Sequence, residues 1–523
     1  MQEKGKCAKK LFLCHHCRMR LLTEKYKDKV FGTIGCYDRV LIMGTLPRFC
    51  YPEGMTSYLK YHNVRIFDYP KFAQHYRDLI CKNAEELAHN HGVEINYIHK
   101  QEIRKEELVK AELRRLQKRG ESPEGLFYII SALESCSVYR PWHDKKSGKT
   151  FLKRGRSQCL HYYFYVMDKN FGLCHIRVPT WLPCRLQICF NGHNWLAAQL
   201  SQERVDYHMG DNAFLYISDV EKAQNISDSF SVKSLHQFMD RLSEIFCPVV
   251  KACDRKYHWS VMQVEYATDI IFRQQTDLKG IYEHLVRTAV HTVKPERIAT
   301  FLGRKLMGQF KGEVGNNYKV RKEGICIKHT MGVVSIKMYD KFQKALRIET
   351  TSTDISFFKH YRKVEHKDGT TSKKFTSMKK NIYSLEPLIK LMKASNRRYL
   401  EFISTIEDRS SGTRRLRKVT QRVEEKSRGY KGFNFFDDTD MKIIQIISRG
   451  EFNISGFRNK DLRNYFSDKS TAQISRILKR LKLHGIIKKA RNTYKYYLTI
   501  LGKQVALTAM KIKESVLIPA MNY

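Results

Sequence analysis

An aspartate and a glutamate in the second half of the chain stand where two short strands are predicted to meet. Asp340 lies near the end of SIKMYDK, and Glu349 lies in the following LRIETT. A short turn between antiparallel strands would bring both carboxylates to neighbouring strand ends, a geometry able to hold Mg²⁺ or Mn²⁺. Such a metal could activate water or a tyrosine, for example Tyr339, against a phosphodiester. A hairpin salt-bridged by Lys or Arg explains the same pattern equally well.

The same two strands carry a resemblance to a known class of proteins. Tyr339-Asp340-Lys341, followed by Leu346-Arg347-Ile348-Glu349, resembles the YDK and R-x-E strands of plasmid and phage replication initiators, over residues 336–350. The resemblance implies an enzyme that nicks one DNA strand with a tyrosine and a divalent metal, for which Asp340 and Glu349 would be ligands. The HUH metal motif that such nickases often carry is absent from the sequence. The resemblance therefore implies no further site residue.

A second set of polar residues lies in YHWSVMQVEYATDIIF. The spacing predicts a helix on which His258, Glu265 and Asp269 share one face. Two carboxylates on a largely apolar helix are costly to bury alone, so we expect them to meet a cation or a metal. An arginine would make an ion pair, whereas a metal would support phosphodiester hydrolysis. If this helix faces the hairpin, four acids would converge on one metal site: Asp340, Glu349, Glu265 and Asp269.

Three further acids come from other predicted elements. Asp38 lies within an opening strand, Glu134 ends a later strand, and Asp211 lies in GDNAF. RNase H-like nucleases arrange metal-binding carboxylates on comparable elements, which is an analogy of fold. Three histidines beside aromatic residues suit either acid–base catalysis or hydrogen-bonded core positions: His161, His175 and His193.

Local signals are strongest near the end of the chain. DDTDMKIIQIIS, FRNKDLRNYF and STAQISRILKRLKLHG have apolar residues at helical spacing, and Ser470 with Gln473 predicts a capping box. IIKKA and TYKYYLT flank a polar turn and predict a hairpin, after which LGKQVALTAMKIKE returns to helix. This order of three helices, a two-stranded wing and a further helix resembles MarR-type winged-helix DNA-binding domains over residues 437–514.

That resemblance implies contacts with duplex DNA. The third helix would enter the major groove, and its polar face carries Gln473, Ser475, Arg476, Lys479 and Arg480. The wing would offer basic residues to phosphates: Lys488, Lys489, Arg491 and Lys495. A winged helix that contacts proteins is the alternative, but the many exposed basic residues favour nucleic acid.

Composition indicates the class of partner. The 523 residues include 95 Lys and Arg against 53 Asp and Glu, and the formal net charge of +42 would repel itself unless polyanions neutralise it. We expect DNA as the partner, with RNA as an alternative because both are bound by basic and aromatic residues. No apolar run approaches the roughly 20 residues of a membrane span, and no signal peptide opens the chain, so we expect a cytoplasmic protein without a membrane partner.

Motifs for bound cofactors are few. The chain has neither a G-x-G-x-x-G motif after its first strand nor a Walker loop, so we expect no nucleotide cofactor. The fourteen cysteines are spread along the sequence and fit reduced core positions. The first residues contain C-x6-C-H-H-C, from Cys7 to Cys17, which suits either a zinc site or a disordered basic leader.

The predicted fold class is a multidomain α+β protein, with an N-terminal α/β layer, a central mixed β-rich and helical body and a C-terminal winged helix. Its sheet near the N-terminus is predicted to be largely parallel. Two basic stretches, 359–380 and 409–431, are predicted to be a solvated loop and a flexible linker. The predicted segments are 1–25 (basic Cys-rich leader), 26–138 (α/β domain), 139–218 (antiparallel, aromatic), 219–408 (helical plus β-meander, with the active centre), 409–432 (basic linker) and 433–523 (winged helix).

Together these features predict a nucleic-acid-binding protein of a mobile element or replication system. Its winged helix would bind duplex DNA, and its larger body would cleave or nick phosphodiesters with Mg²⁺ or Mn²⁺. The size of the larger body is the reason for predicting catalysis, because a transcriptional regulator needs little beyond the winged helix and a dimerisation element. The alternatives are a non-catalytic DNA-binding transcriptional regulator and the protein component of a ribonucleoprotein.

Overall fold

The structure, a computed structural model, describes most of the chain as two compact units, Met1–Glu407 and Asp408–Tyr523. The described residues are 21–99, 102–306, 310–321, 324–407, 409–449, 451–452, 456–490, 493–512 and 518. The predicted Cys7–Cys17 cluster and Arg491 lie outside them. No helix within these ranges is both long enough and apolar enough to cross a membrane.

The first unit is built on one large sheet. Its strands are β1 (Val30–Thr45), β2 (Ile95–Ile98), β3 (Gly125–Asp144), β4 (Lys149–Asp168), β5 (Gly172–Pro179), β6 (Leu186–Asn191), β7 (Tyr207–Gly210), β8 (Ala213–Ile217), β9 (His258–Phe272), β10 (Val314–Arg321), β11 (Gly324–Met331), β12 (Val334–Lys341), β13 (Ala345–Ser352), β14 (Lys359–Glu365) and β15 (Thr371–Ser377). Eleven of them form the large sheet, in the order β10-β11-β12-β13-β9-β1-β6-β5-β4-β3-β2. The remaining four form the hairpins β7–β8 and β14–β15.

The sheet is antiparallel at every described pairing except that of β2 with β3. The predicted largely parallel sheet is therefore wrong, because short turns such as residues 145–148 can only reverse the chain, whereas parallel neighbours need long crossovers. Strands from the three predicted segments 26–138, 139–218 and 219–408 share this one sheet. The chain is thus a mixed α+β protein, with those three segments forming a single unit.

The helices of the first unit pack mainly on one face of the sheet. They are α1 (Leu22–Lys25), α2 (Pro52–Tyr61), α3 (Tyr69–His91), α4 (Lys105–Lys118), α5 (Gly192–Gln202), α6 (Val220–Asp228), α7 (Val232–Phe246), α8 (Val249–Ala252), α9 (Gln275–Thr292), α10 (Pro295–Phe301) and α11 (Leu385–Glu407). Asn396 of α11 donates hydrogen bonds to the backbone oxygens of Tyr266 and Ile348, both over 3.1 Å. This buried amide fixes α11 against β9 and β13. It also donates to the hydroxyl of Thr268 over 3.1 Å, so Thr268 and Tyr266, two residues apart on one strand face, face the helices.

The segment predicted as a helix around Glu265 is the central strand β9, and that prediction is wrong. β9 lies between β1 and β13, and its residues are buried on both faces over most of its length. A strand buried on both faces has a nearly continuous apolar sequence, which hides the alternation that identifies strands. Val, Ile, Tyr and Thr, which favour strands, outweigh the apparent helical spacing.

The basic stretch 359–380 is also not a loop. It forms the hairpin β14–β15, in which Lys359 pairs with Ser377 and Glu365 with Thr371. Gly369 in its turn has φ +78°, a conformation that glycine adopts without strain. The Asp-Gly step and the alternating side chains on each strand explain why this polar sequence forms a hairpin.

The second unit contains α12 (Arg409–Thr420), β16 (Val423–Glu425), β17 (Arg428–Tyr430), α13 (Asp438–Ile447), α14 (Asn459–Arg463), α15 (Thr471–Leu483), β18 (Ile487–Lys489), β19 (Tyr496–Leu498) and α16 (Ile500–Ile512). From α13 onward each element lies where the sequence predicts it. One core joins them, including Ile443, Ile474 and Leu478.

The predicted linker 409–432 is instead part of this second unit. It forms α12 and the hairpin β16–β17, and Val419 is fully buried in the core of the unit. The ring of His484 contacts the backbone oxygens of Lys418 and Lys431, at 2.8 and 3.1 Å. One buried side chain therefore contacts both the last turn of α12 and the residue that follows β17, contacts that composition alone does not reveal.

Candidate metal centre and nucleic-acid interface

Three carboxylates converge on the sheet face opposite Tyr266. They belong to Asp38 on β1, Glu265 on β9 and Glu349 on β13, and one oxygen from each lies within 4.8 Å of the others. Glu349 pairs with Ala267, two residues from Glu265, so the two glutamates are diagonal neighbours on one face. Asp38 joins them through an irregularity in β1, where the paired register shifts between Tyr37 and Val40.

A lysine and a tyrosine from β12 complete the cluster. Lys337 Nζ lies 2.5 Å from Glu349 and 3.7 Å from Glu265. The hydroxyl of Tyr339 donates to Glu349 Oε2 over 2.5 Å. Glu265 and Lys337 keep 14 % and 18 % of their side-chain exposure, so solvent reaches the cluster beside them. The arrangement offers oxygen ligands, a cation and a hydroxyl within one shallow site.

A buried ion-pair network lies beside the cluster on the same face of the sheet, two residues further along β13. Arg347 donates two hydrogen bonds of 2.6 Å to Asp269, and its guanidinium lies 3.1 Å from Asp38. His193 contacts both aspartates, at 3.3 and 3.4 Å, and Asn212 donates to Asp38 over 2.8 Å. Asp269 therefore has the arginine partner that the sequence left open as an alternative to metal.

The pKa values of Asp38 and Glu265 are shifted in opposite directions by burial and neighbouring charges. Burial would raise the pKa of Asp38, but Arg347 and hydrogen bonds from His193 and Asn212 hold it well below its usual range. Burial, followed by the charge of Glu349, raises the pKa of Glu265 above its ordinary 4.5, although Lys337 opposes this shift. Glu265 is thus more easily protonated than Asp38.

Two predicted catalytic residues lie elsewhere. Asp340 pairs with Leu346, whereas Glu349 pairs with Lys337, so Asp340 and Glu349 project from opposite faces of the sheet. The prediction that they face each other across the hairpin is wrong. His258 begins β9 opposite Thr45, seven residues from Glu265 along an extended strand, or about 23 Å. The shared helical face predicted for His258 and Glu265 does not exist.

The remaining acids and histidines have other surroundings. Glu134 is held by Arg177 at 2.7 Å and Lys105 at 2.8 Å, and Asp211 pairs with Lys110 at 2.9 Å. Neither joins Asp38 in the cluster. His161 is buried and His175 is half-buried. Desolvation lowers the pKa of each to about 4, which favours their neutral forms.

Some residues of the site were not predicted. Lys337 stands two positions before Tyr339 in SIKMYDK, and period-two alternation alone would have put both on one strand face. In the sequence Arg347 stands out only as part of the initiator-like pattern, and nothing beside His193 identifies Asp38 or Asp269 as its partner. No local signal connects Asn212 with Asp38, because their contact depends on how the hairpin β7–β8 packs.

In the second unit, α15 exposes fewer of the predicted DNA-contacting residues than its sequence suggests. Arg480 is buried and donates bidentately to Asp440 over 2.6 and 2.7 Å, with its guanidinium 3.9 Å from the ring of Phe433. The assignment of Arg480 to the exposed polar face is therefore wrong, because Asp440 and Phe433 come from outside the helix. Lys479 stays exposed, but it is paired with Glu425 of β16 at 2.7 Å.

The other predicted contact residues remain at the surface. Gln473 forms the predicted capping box with Ser470, Ser475 accepts a hydrogen bond from Asn459 over 2.9 Å, and Arg476 is exposed. Arg476 borders a cleft of about 530 Å³ between α15 and the hairpin β16–β17. In and beside the hairpin β18–β19, Lys488 and Lys489 are exposed and Lys495 is half-buried.

Comparison of the chain with protein-family models, curated proteins and solved structures finds no match. Function is therefore inferred from the geometry of the two candidate sites.

Proposed function

We propose that this protein processes nucleic acid in a replication or mobile-element system. Its sheet would hold Mg²⁺ or Mn²⁺ for phosphodiester cleavage or nicking, and its C-terminal unit would bind duplex DNA as a winged helix. The observation that carries the proposal is the convergence of Asp38, Glu265 and Glu349 within 4.8 Å. The proposal also assigns the protein to the cytoplasm, where its cysteines would stay reduced.

The chemistry of the cluster supports a divalent ion. Four carboxylates, counting Asp269, are grouped with the permanent cations Arg347 and Lys337, and Mg²⁺ and Mn²⁺ prefer oxygen ligands of this kind. Arg347 is paired with Asp38 and Asp269, so Lys337 is the cation that neutralises charge on the two glutamates. A divalent ion there would polarise a phosphoryl oxygen.

The residues of the chain would then have separate tasks. Asp38, Glu265 and Glu349 would be the metal ligands. Lys337, displaced from between the glutamates, would stabilise negative charge on the phosphoryl group. The Tyr339 hydroxyl donates a hydrogen bond to Glu349, and burial followed by the charge of Glu349 raises the pKa of Tyr339. Its hydroxyl would therefore orient a ligand oxygen of Glu349, and the attacking group would be water or another hydroxyl.

The second unit supports duplex binding by the order of its elements. Three helices, the hairpin β18–β19 and α16 follow one another as in a winged helix. Arg476, Lys488 and Lys489 are exposed on the helix and hairpin that would meet DNA. Lys479 and Glu425 would orient the additional hairpin β16–β17 beside the groove-facing helix.

The test is a cleavage assay on supercoiled DNA, single-stranded DNA and RNA with added Mg²⁺ or Mn²⁺. We expect cleavage by the wild-type protein and its loss in Glu349→Gln and Asp38→Asn. Asp340→Asn is the matched control, since it changes an acid on the opposite face of the same hairpin. Activity that persists in Glu349→Gln and disappears in Asp340→Asn would reject this site.

A non-catalytic binder, either a transcriptional regulator or a ribonucleoprotein component, is the second candidate. It is favoured by the fact that each acid of the cluster already has a cation from the chain nearby, Lys337 for the glutamates and Arg347 for the aspartates. In that case wild-type protein would bind DNA or RNA without cleaving it, and Mn²⁺ would not bind to the cluster.

A further inference from the structure

Two basic hairpins of the first unit share one arrangement of side chains. The end of β3–β4, residues 139–144 and 149–154, is called ribbon 1, and β14–β15 is called ribbon 2. In ribbon 1, Trp142 pairs with Phe151 and Arg140 with Lys153. In ribbon 2, Tyr361 pairs with Phe375 and Lys363 with Lys373. Each ribbon thus carries an aromatic pair and, two residues along the same face, a pair of cations.

The aromatic pairs are exposed to solvent. Trp142 and Phe151 keep 49 % and 40 % of their surface accessible, and Tyr361 and Phe375 keep 68 % and 58 %. The rings of Tyr361 and Phe375 lie 5.2 Å apart, so they form one continuous aromatic surface. Single exposed aromatics need no explanation, but paired ones on two separate ribbons indicate surfaces that meet a ligand.

The cation pairs point to the charge of that ligand. Like charges directly opposite each other on neighbouring strands destabilise a sheet. In ribbon 2, Lys363 and Lys373 form such a pair on the face that carries the aromatic pair. In ribbon 1, Lys153 Nζ also lies 4.5 Å from the Trp142 ring centroid, which keeps cation and aromatic surface together. A polyanion lying across the ribbons would remove this repulsion.

We propose that ribbons 1 and 2 bind single-stranded nucleic acid, with bases stacked on the aromatic pairs and phosphates between the paired cations. Stacking requires an unpaired base face, which a duplex covers with its neighbouring base pairs, so the aromatic pairs favour a single strand. This inference rests on the proposed function in one respect, namely that the chain acts on nucleic acid. The inference adds a surface that prefers single-stranded nucleic acid and that uses residues other than those of the metal cluster and the C-terminal unit.

The test measures binding of full-length protein, in EDTA, to a labelled single strand of about 16 nucleotides and to a duplex. We expect the double variants Trp142→Ala/Phe151→Ala and Tyr361→Ala/Phe375→Ala each to weaken single-strand binding about tenfold or more. Duplex binding should stay within about twofold, because it is assigned to the second unit. Tyr61→Ala, at a site 83 % exposed on α2, is the matched aromatic control and should change neither.

Two further measurements separate the stacking and phosphate contacts. Lys363→Gln/Lys373→Gln should reduce the salt dependence of single-strand binding by about 1.4 in log–log slope, corresponding to two lost phosphate contacts. Single strand should quench the tryptophan fluorescence of the wild type, and Trp142→Phe should lose that quenching while it keeps binding. Near-wild-type melting temperatures of all variants would confirm that they fold.

The outcomes distinguish this inference from the proposed function. Single-strand binding that is unchanged in both aromatic double variants overturns the inference and leaves duplex binding and cleavage untouched. Equal losses of affinity for single strand and duplex also overturn the inference, because the ribbons would then contact phosphates without preference for a single strand. Wild-type protein that binds no nucleic acid at all would reject the proposed function as well.

Discussion

The ammonium of Lys337 lies 2.5 Å from Oε1 of Glu349, whose side chain is only 2 % exposed. The same ammonium lies 3.7 Å from Glu265. It therefore occupies the position from which a divalent ion would contact both glutamates. A bound metal ion would compete with Lys337 for the same oxygens, so the candidate centre can be tested without an activity assay.

Replacing Lys337 should strengthen metal binding. In Lys337→Met we expect Mn²⁺ affinity to rise at least about tenfold, because a unit charge about 4 Å away is worth up to roughly 4 kcal/mol near a protein surface. In EDTA the variant should melt at a lower temperature than wild type, since two glutamates lose their cation, and Mn²⁺ should restore it. Calorimetric titration and thermal melts check both. Unchanged affinity would mean that metal does not bind beside Lys337.

Metal affinity should depend on the protonation of Glu265. Its pKa is raised, first by burial and then by Glu349, so it contributes most to stability below its ordinary 4.5 and loses that contribution as pH rises through the folded-state pKa. Metal competes with the bound proton, so Mn²⁺ affinity should increase over the same rise in pH. Titrations at several pH values should show this step in wild type. Glu265→Gln should lower the affinity and abolish the step, and a step that survives would belong to another group.

Loss of Arg347 should destabilise the first unit. Arg347→Met would leave Asp269 and Asp38 buried without their cation, which typically costs about 3–5 kcal/mol. Urea unfolding measures this change, and Arg39→Met, at a side chain 45 % exposed, is the control expected to stay near wild type. Burial alone would raise the pKa values of Asp38 and Asp269, but Arg347 lowers them below the ordinary 3.8. The two ionised aspartates therefore stabilise the fold at pH values above 3.8, and this stabilisation is lost as the pH falls through their folded-state pKa values. The difference between Arg347→Met and wild type should therefore shrink in strong acid.

Two arginines on α15 should behave differently. Arg476→Ala should weaken binding to a preferred duplex by about 1–3 kcal/mol, with a much smaller effect on random duplex. Arg480→Ala should instead lower the stability of the second unit, because Asp440 would remain buried without its partner. Binding isotherms combined with thermal melts separate the effects. If Arg476→Ala lost equal affinity for the preferred and the random duplex, α15 would contact only phosphates and would not recognise sequence.

Duplex binding should weaken steeply with salt. With a net charge of +42, neutralisation of at least about six phosphates would reduce affinity by roughly a thousandfold between low and moderate ionic strength. Lys488→Ala/Lys489→Ala should reduce the log–log slope by about 1.8, corresponding to two phosphates. Fluorescence anisotropy across a salt series measures both slopes. A nearly flat series for the wild type would contradict binding through phosphate contacts.

The sequence by itself determined the elements that depend on neighbouring residues. The capping box of Ser470 and Gln473 and the apolar stripe of Ile474, Leu478 and Leu481 specify α15, because their interactions lie within a few turns of one helix. The pairing of β12 with β13 follows in the same way from two strand-forming segments separated by a short turn.

Only the tertiary structure decided which side chains share a site. Asp38 meets Glu265 because β1 pairs with β9, which lies far along the chain, and because the register of β1 is irregular at that point. Asp340 is excluded from the site because the register of β12 and β13 turns it to the other face, and a shift of one residue would reverse that assignment. Arg480 is withdrawn from the surface by Asp440, a partner from another helix. Strand register and long-range packing result from the burial of the whole core, so no local stretch of sequence contains them.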